Sequence, residues 1–275
     1  MTPPGRALVT GASSGLGREY ARALAARGHD LVLVARRAAR LEELRGELAG
    51  RYGTAVDIVV CDLATDAGLA DCRAALESRD LAVAVLNAGF GSLGPFDEAD
   101  REREDRMVRL NCLAVVDLAR QLLPGMRARG RGQIIVVSSA AAWHPVPFMA
   151  TYSATKAFEL HWVRALGEEL RGTGVRVLAV CPGPTDTEFS EALSAAGPRA
   201  SGWPKGTPID RARDVVARSL AAAEAGRTVV ATGRIAHMTH VATRIIPVGW
   251  TLRMVGAVHR RRARTRSSAG NARGN

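Results

Sequence analysis

Lysine is almost missing from this chain of 275 residues. Of its 38 basic residues only two, Lys156 and Lys205, are lysine. Tyrosine is nearly as scarce, with Tyr20, Tyr52 and Tyr152 alone. The four cysteines, Cys61, Cys72, Cys112 and Cys181, show no C-x-x-C spacing. Cys61, Cys112 and Cys181 stand in apolar settings and read as small core residues of a reduced, cytoplasmic protein. No run of about 18 apolar residues is free of charge, so no segment reads as membrane-spanning. The first strand starts near Arg6, which leaves no room for a signal peptide. Internal repeats are absent.

Acids are not scarce overall, but they are unevenly placed. The net charge of +11 suggests a nucleic-acid partner only until its distribution is considered. Between His259 and Asn275 there are six arginines and no acid, whereas the rest of the chain interleaves both signs, as in "RLEELRGEL". That is a solvated helix face followed by a disordered basic tail at 259–275, and no nucleic-acid partner is expected. Strand-like and helix-like segments alternate from end to end, which predicts one α/β domain with a mostly parallel, doubly wound sheet and helices on both faces.

The richest run is "RALVTGASSGLGREYARALAARGHDLVLVARR". A short buried strand is followed by Gly11, Gly15 and Gly17, then a helical stretch and a second strand. Glycines in that place let the chain turn tightly and let a phosphate approach the backbone, and the free amides of a helix N-terminus suit a pyrophosphate. Gly11, Ser13, Ser14, Gly15, Leu16 and Gly17 are therefore candidate cofactor-binding residues. Past the second strand, where an NAD-binding chain would place an acid, stand Ala35, Arg36 and Arg37. An acid would repel a 2′-phosphate and an arginine fork would clamp it, so NADP(H) is predicted over NAD(H), with Arg36, nearer the strand end, as the clamp. Asp62, with Leu63, follows a third strand and is placed for the adenine amino group. Asn87-Ala88-Gly89 ends a fourth, where small residues let the cofactor pass and an Asn amide ties loops together.

Lys156 stands four residues after Tyr152 in "YSATK", so the two share one face of a helix that runs to Gly172 or Gly174. Ser139 ends the strand beside it, at the sheet edge where ligands bind in open α/β folds. A phenol of pKa about 10 is a poor base at neutral pH, and an ammonium one turn away favours its ionised form. A compact lysine head on a flexible stem can reach both a ribose and the phenol, which an arginine fork does not do in the same way.

In order and spacing, "TGASSGLG", "NAG", Ser139 thirteen residues before Tyr152, "YSATK" and "PGPTDT" resemble the short-chain dehydrogenase/reductase family over about residues 5–235. The resemblance implies a Rossmann fold. It implies Tyr152 as general acid or base, Ser139 bonding the substrate carbonyl, and Lys156 binding the nicotinamide ribose and lowering the phenol's pKa. Asn111 matches the family's fourth catalytic residue. Pro182 and Gly183 would lie beside the nicotinamide, with Thr185 and Thr187 bonding its carboxamide or the diphosphate. "SSAAAW" lacks the glycine often found after the serine pair, which leaves the pocket wall open.

Trp143, Phe148, Phe189 and Trp203 flank the site and are candidate substrate-binding residues, pointing to a fairly apolar carbonyl or alcohol. The domain is expected to end near residue 235, with a lid over 186–209. The apolar and basic stretch 236–258 fits a membrane surface, the substrate mouth or a partner subunit. His237 and His240 lack a third ligand, so no metal is expected. Stripes at Val163, Leu166 and Leu170 and at Phe158, Trp162 and Ala165 predict one helix face on the sheet and one on a partner helix, hence a homo-oligomer. The function expected is hydride transfer between NADP(H) and a carbonyl or secondary alcohol. The alternatives are an NADP(H) sensor, which would have no need of a proton donor, and a dehydratase or epimerase on the same scaffold.

Overall fold

Short apolar runs rich in valine and leucine, each long enough for a strand buried on both faces, set the architecture. In the computed structural model, which describes residues 5–77, 79–189, 206–250, 252–253 and 256–257, they become β1 (Arg6–Thr10), β2 (Asp30–Ala35), β3 (Val56–Val60), β4 (Leu81–Leu86), β5 (Gly132–Val137), β6 (Val175–Pro182) and, after a small β7–β8 pair (Thr185–Asp186, Asp210–Arg211), β9 (Val229–Thr232). These seven pair in the order β3-β2-β1-β4-β5-β6-β9, every neighbour parallel.

Alternate strand residues feed two cores. Leu8, Val32, Ile134 and Val136 point to one face, where they meet Cys72, Leu76, Leu118, Leu160 and Val163 from α3 (Asp66–Leu76), α5 (Ala114–Ala128) and α6 (Ala150–Glu169). Val9, Leu31, Leu33 and Ile135 point to the other, onto Tyr20, Leu24, Leu44 and Leu220 of α1 (Gly15–Ala25), α2 (Ala38–Tyr52) and α7 (Ala212–Glu224). Tyr20 carries its polar end into the second layer with a partner: its hydroxyl lies 2.6 Å from Ser219 Oγ. Ser219 donates its one proton to the Val216 carbonyl, so Tyr20 is the donor of that pair.

Strand order reverses between β1 and β4, which opens a crevice above their carboxyl ends. β6 stops at Pro182, and α8 (Arg234–Ile245) leaves β9 to pack back over it, with Ala236 fully buried. α8 thus straddles the domain end expected at residue 235. The backbone around Asn111 is not a regular α-helix. α4 (Arg101–Val108) passes into a π turn, Arg109–Leu113, before α5 begins. Most of the expected lid and all of the 259–275 tail lie outside the described residues, as does Trp203.

Candidate active site

Everything that converges here leaves the carboxyl ends of the strands. The turn after β1 carries Gly11 at φ +67°, a left-handed conformation that glycine adopts without strain. A Cβ there would sit 2.8 Å from Asn87 Nδ2, and one on Gly17 would collide with the Gly11 carbonyl. Gly17 therefore lets α1 start directly against the turn. Ser14 caps α1 in extended conformation without a side-chain bond, so the first amides of the helix keep no internal acceptor. These features make an anion cradle, and they fit the diphosphate of a dinucleotide.

Asn87 is held by Thr10. The Thr10 hydroxyl accepts from the Asn87 and Ala88 amides at 2.9 and 3.0 Å, and Asn87 Nδ2 donates to the Thr10 carbonyl at 3.0 Å. Gly89 needs to be small, because a Cβ would stand 3.0 Å from Asn111 Oδ1 and 3.4 Å from Lys156 Nζ. Asn111 is fully buried and does not line the cleft. Its Nδ2 donates to the Phe90 carbonyl and to Thr155 Oγ1, both at 3.0 Å, so it clamps the loop after β4 to α6.

The two arginines after β2 behave differently. Arg37 is committed: it donates to Ser13 Oγ at 3.1 Å, to the Ser13 carbonyl at 3.2 Å and to Glu188 at 2.9 Å. Arg36 is two-thirds exposed, with Asp62 at 3.8 Å. Asp62 accepts from the Ala64 amide at 3.0 Å and from Arg106 at 2.6 Å. Burial works to raise its pKa, but those bonds outweigh it and hold the carboxyl below its ordinary value.

At the chemical end, Tyr152, Lys156 and Glu159 are all buried on α6. Lys156 Nζ donates to the Val137 carbonyl at 3.0 Å and to Glu159 Oε1 at 2.9 Å, leaving one N–H in hand. It lies 5.9 Å from the centre of the Tyr152 ring. Ser138 donates to the Lys156 carbonyl at 2.8 Å and fixes α6 to the end of β5. Ser139 lines the cleft with Tyr152, and its Oγ accepts from the Ala141 amide at 3.1 Å. Burial pushes the phenol above its ordinary pKa, helped by Glu159, although Lys156 and Ser139 pull it down. The lowering expected from Lys156 is therefore present but loses to desolvation. Burial alone would lower the Lys156 ammonium, yet Glu159 and then Tyr152 outweigh it and raise its pKa. Glu159 itself is raised by burial from an ordinary 4.5 to about 7, against the pull of Lys156. Glu159 was not legible as a site residue. Its signal was an acid three places after one of only two lysines.

One cleft of about 540 Å³ joins these parts. The Gly11–Leu16 turn, Arg36, Arg37, Asp62, Leu63, Asn87, Ala88 and Gly89 line one end. Ser139, Tyr152, Lys156, Pro182, Gly183, Thr185 and Thr187 surround the middle. His144, Val146, Met149, Phe189, Ile235 and Thr239 wall the other end. The Phe189 ring lies 5.6 Å from that of Tyr152, tilted by 43°. Trp143 and Phe148, expected at the substrate, are not on this wall. Trp143 is taken up by His240, ring centres 4.0 Å apart, and the Arg164 guanidinium lies over its ring at 5.0 Å. Phe148 sits at φ +69°, and its carbonyl accepts from the Gly94 amide at 2.9 Å.

A family model described as short chain dehydrogenase matches residues 6–197. The chain belongs to the short-chain dehydrogenase family. It is thus a member of an oxidoreductase family that uses a nicotinamide cofactor. It is similar to a very-long-chain 3-oxoacyl-CoA reductase of Anas platyrhynchos, 35% identical over 190 residues, which cover 67% of this chain and 61% of that protein. Among solved structures it is similar to a short-chain dehydrogenase from Sphingobium yanoikuyae in complex with NADPH, with TM-score 0.76, 34% identity and coverage of 83% and 87% of the two chains. A 7beta-hydroxysteroid dehydrogenase matches with TM-score 0.82 and 25% identity, covering 92% of this chain and 96% of that one. This chain spans about three fifths of the length of its curated avian relative.

Proposed function

We propose that this chain is an NADP(H)-preferring reductase of ketones carried on a long or bulky apolar body. The observation that carries the reading is the buried Tyr152, set with Lys156 and Ser139 in a cleft that joins the anion cradle to apolar side chains. When bound, the reduced nicotinamide supplies the hydride. Tyr152 donates its phenolic proton to the carbonyl oxygen, which Ser139 holds in place. The resulting phenolate is favoured by the Lys156 ammonium and the Ser139 hydroxyl, the same groups that pull the phenol's pKa down.

The diphosphate would rest on the α1 amides, the adenine near Asp62 and Leu63, and the nicotinamide ribose on Lys156. Pro182, Gly183, Thr185 and Thr187 would flank the nicotinamide. The names of the curated relative and of the steroid dehydrogenase denote bulky, largely apolar substrates. Val146, Met149, Phe189 and Ile235 support the same class here, with His144 the polar exception. Burial lowers the His144 pKa, so the ring faces the cleft neutral.

The 2′-phosphate is assigned to Arg36, because Arg37 is held by Ser13 and Glu188, whereas Arg36 is two-thirds exposed and its ion pair with Asp62 is long, at 3.8 Å. The test is a fluorescence titration with NADPH and NADH. NADPH should bind more tightly, and Arg36→Ala should weaken NADPH by about 1.5–3 kcal/mol, the usual contribution of a bond to a charged group, with little change for NADH. A preference for NADH would overturn the assignment.

Four buried, free cysteines suit the reducing cytoplasm. Val108, Leu113 and Phe158 are 40%, 55% and 41% exposed on α4, the π turn and α6. They support a homo-oligomer formed through that face. Light scattering should give a dimer or larger, and Phe158→Glu should shift it toward monomer. A wild-type monomer at micromolar concentration would count against this.

A further inference from the structure

α8 has two working faces. The inner one belongs to the site: Ile235 and Thr239 line the cleft, and Ala236 is fully buried, with its amide 3.3 Å from where a Cβ of Gly183 would stand. The outer one is apolar and open. Met238, Val241 and Ile245 follow one helical stripe and are 67%, 43% and 76% exposed. Just beyond, Trp250 is 73% exposed.

Charge decides what fits this surface. After Glu224 the sequence contains ten arginines and not one acid, so nearly all of the net +11 belongs to this last part of the chain. A second copy seated symmetrically on the stripe would bring two such arginine sets together, which like-charge repulsion opposes. Residues 259–275 cannot cover the stripe either, since they hold no apolar side chain larger than alanine. A bilayer with anionic headgroups satisfies both features: apolar side chains and Trp250 enter the headgroup boundary while arginines meet the lipid phosphates. Among the described residues no helix is long and apolar enough to cross a membrane, so the contact is interfacial.

We propose that α8, with Trp250 just beyond it, docks on the surface of an anionic membrane, so that the helix walling the cleft also faces the lipid and an apolar ketone passes to the site from the bilayer. The route of entry rests on the substrate class proposed above; the docking does not.

The test is co-sedimentation of the full chain with phosphatidylcholine vesicles, with and without phosphatidylserine. Binding to the phosphatidylserine vesicles is expected, weakened by added salt, with much less on phosphatidylcholine alone. Met238→Glu/Ile245→Glu should reduce it about tenfold or more, because it removes apolar contact and adds repulsion. NADPH affinity, measured alongside, should not change, which shows the variant folded. No binding to phosphatidylserine vesicles would overturn the docking. So would binding unaffected by the double substitution, which would mean adsorption of the arginines alone. A dimer that this substitution dissolves would assign the stripe to a second copy and overturn it as well. If docking holds and no apolar ketone is reduced, the substrate reading fails and the surface stands.

Discussion

Tyr152→Phe will lower turnover by about 10²–10⁴-fold, the usual contribution of a positioned general acid, and leave NADPH affinity nearly unchanged. The ring is buried against Phe189 at 5.6 Å and phenylalanine keeps that packing, so the substitution removes one hydroxyl and little else. Losing one hydroxyl costs on the order of 1 kcal/mol, too little to unfold the chain. The check is NADPH oxidation with saturating ketone beside a fluorescence titration of NADPH. Turnover surviving in the variant would move the proton donor elsewhere in the cleft, to His144 first. A parallel loss of NADPH affinity would make Tyr152 a binding residue. The pH dependence has a definite sign. Reduction needs the phenol protonated, so a raised pKa extends the plateau upward, and the rate falls only once pH passes that value.

What could be read from the sequence divides along physical lines. Strands buried on both faces announce themselves as apolar runs, and the glycine-rich turn falls between β1 and α1 as its spacing predicts. Lys156 was legible because the composition is so poor in lysine. Burial was not. Sequence shows Lys156 beside Tyr152, but the direction of the phenol's shift depends on how completely α6 sinks against β5, and desolvation outweighs the nearby charge. Glu159 was hidden for the same reason, since an acid three residues from a lysine is most often a solvated surface pair. Trp143 and Phe148 show the limit for the substrate wall: both lie on the connection between β5 and α6, and the positive φ of Phe148 and the tilted ring contact of Trp143 with His240, far along the chain, direct them elsewhere. The Arg36 and Arg37 pair separates only through Ser13 and Glu188, a long-range contact that no local pattern encodes.

The Lys156–Glu159 pair leads to the largest expected effect on stability. Both side chains are buried, their ion pair measures 2.9 Å, and Glu159 Oε2 has no hydrogen-bond partner. Removing one member of such a pair costs roughly 3–5 kcal/mol, because the other charge is left uncompensated in the interior. Lys156→Met should carry this cost in a pH-dependent form. Glu159 is already raised from 4.5 to about 7 with Lys156 beside it, and loses its chief counter-charge in the variant. The folded protein then binds a proton that the unfolded chain releases at lower pH. Stability is therefore retained below the unfolded carboxyl's pKa and is lost as pH rises toward the folded one. Urea denaturation should place Lys156→Met close to wild type at about pH 5 and several kcal/mol below it at about pH 8. Adding Glu159→Leu should restore stability at the higher pH, since an apolar pair of similar volume replaces the ionic one at little net cost. Turnover should stay low in both variants, because neither supplies a cation to the phenolate. Equal stability of Lys156→Met and wild type at about pH 8, or no rescue by the second change, would mean that Glu159 is solvated or already neutral in the native protein. The pair would then not be the buried electrostatic support of Tyr152 that its geometry describes.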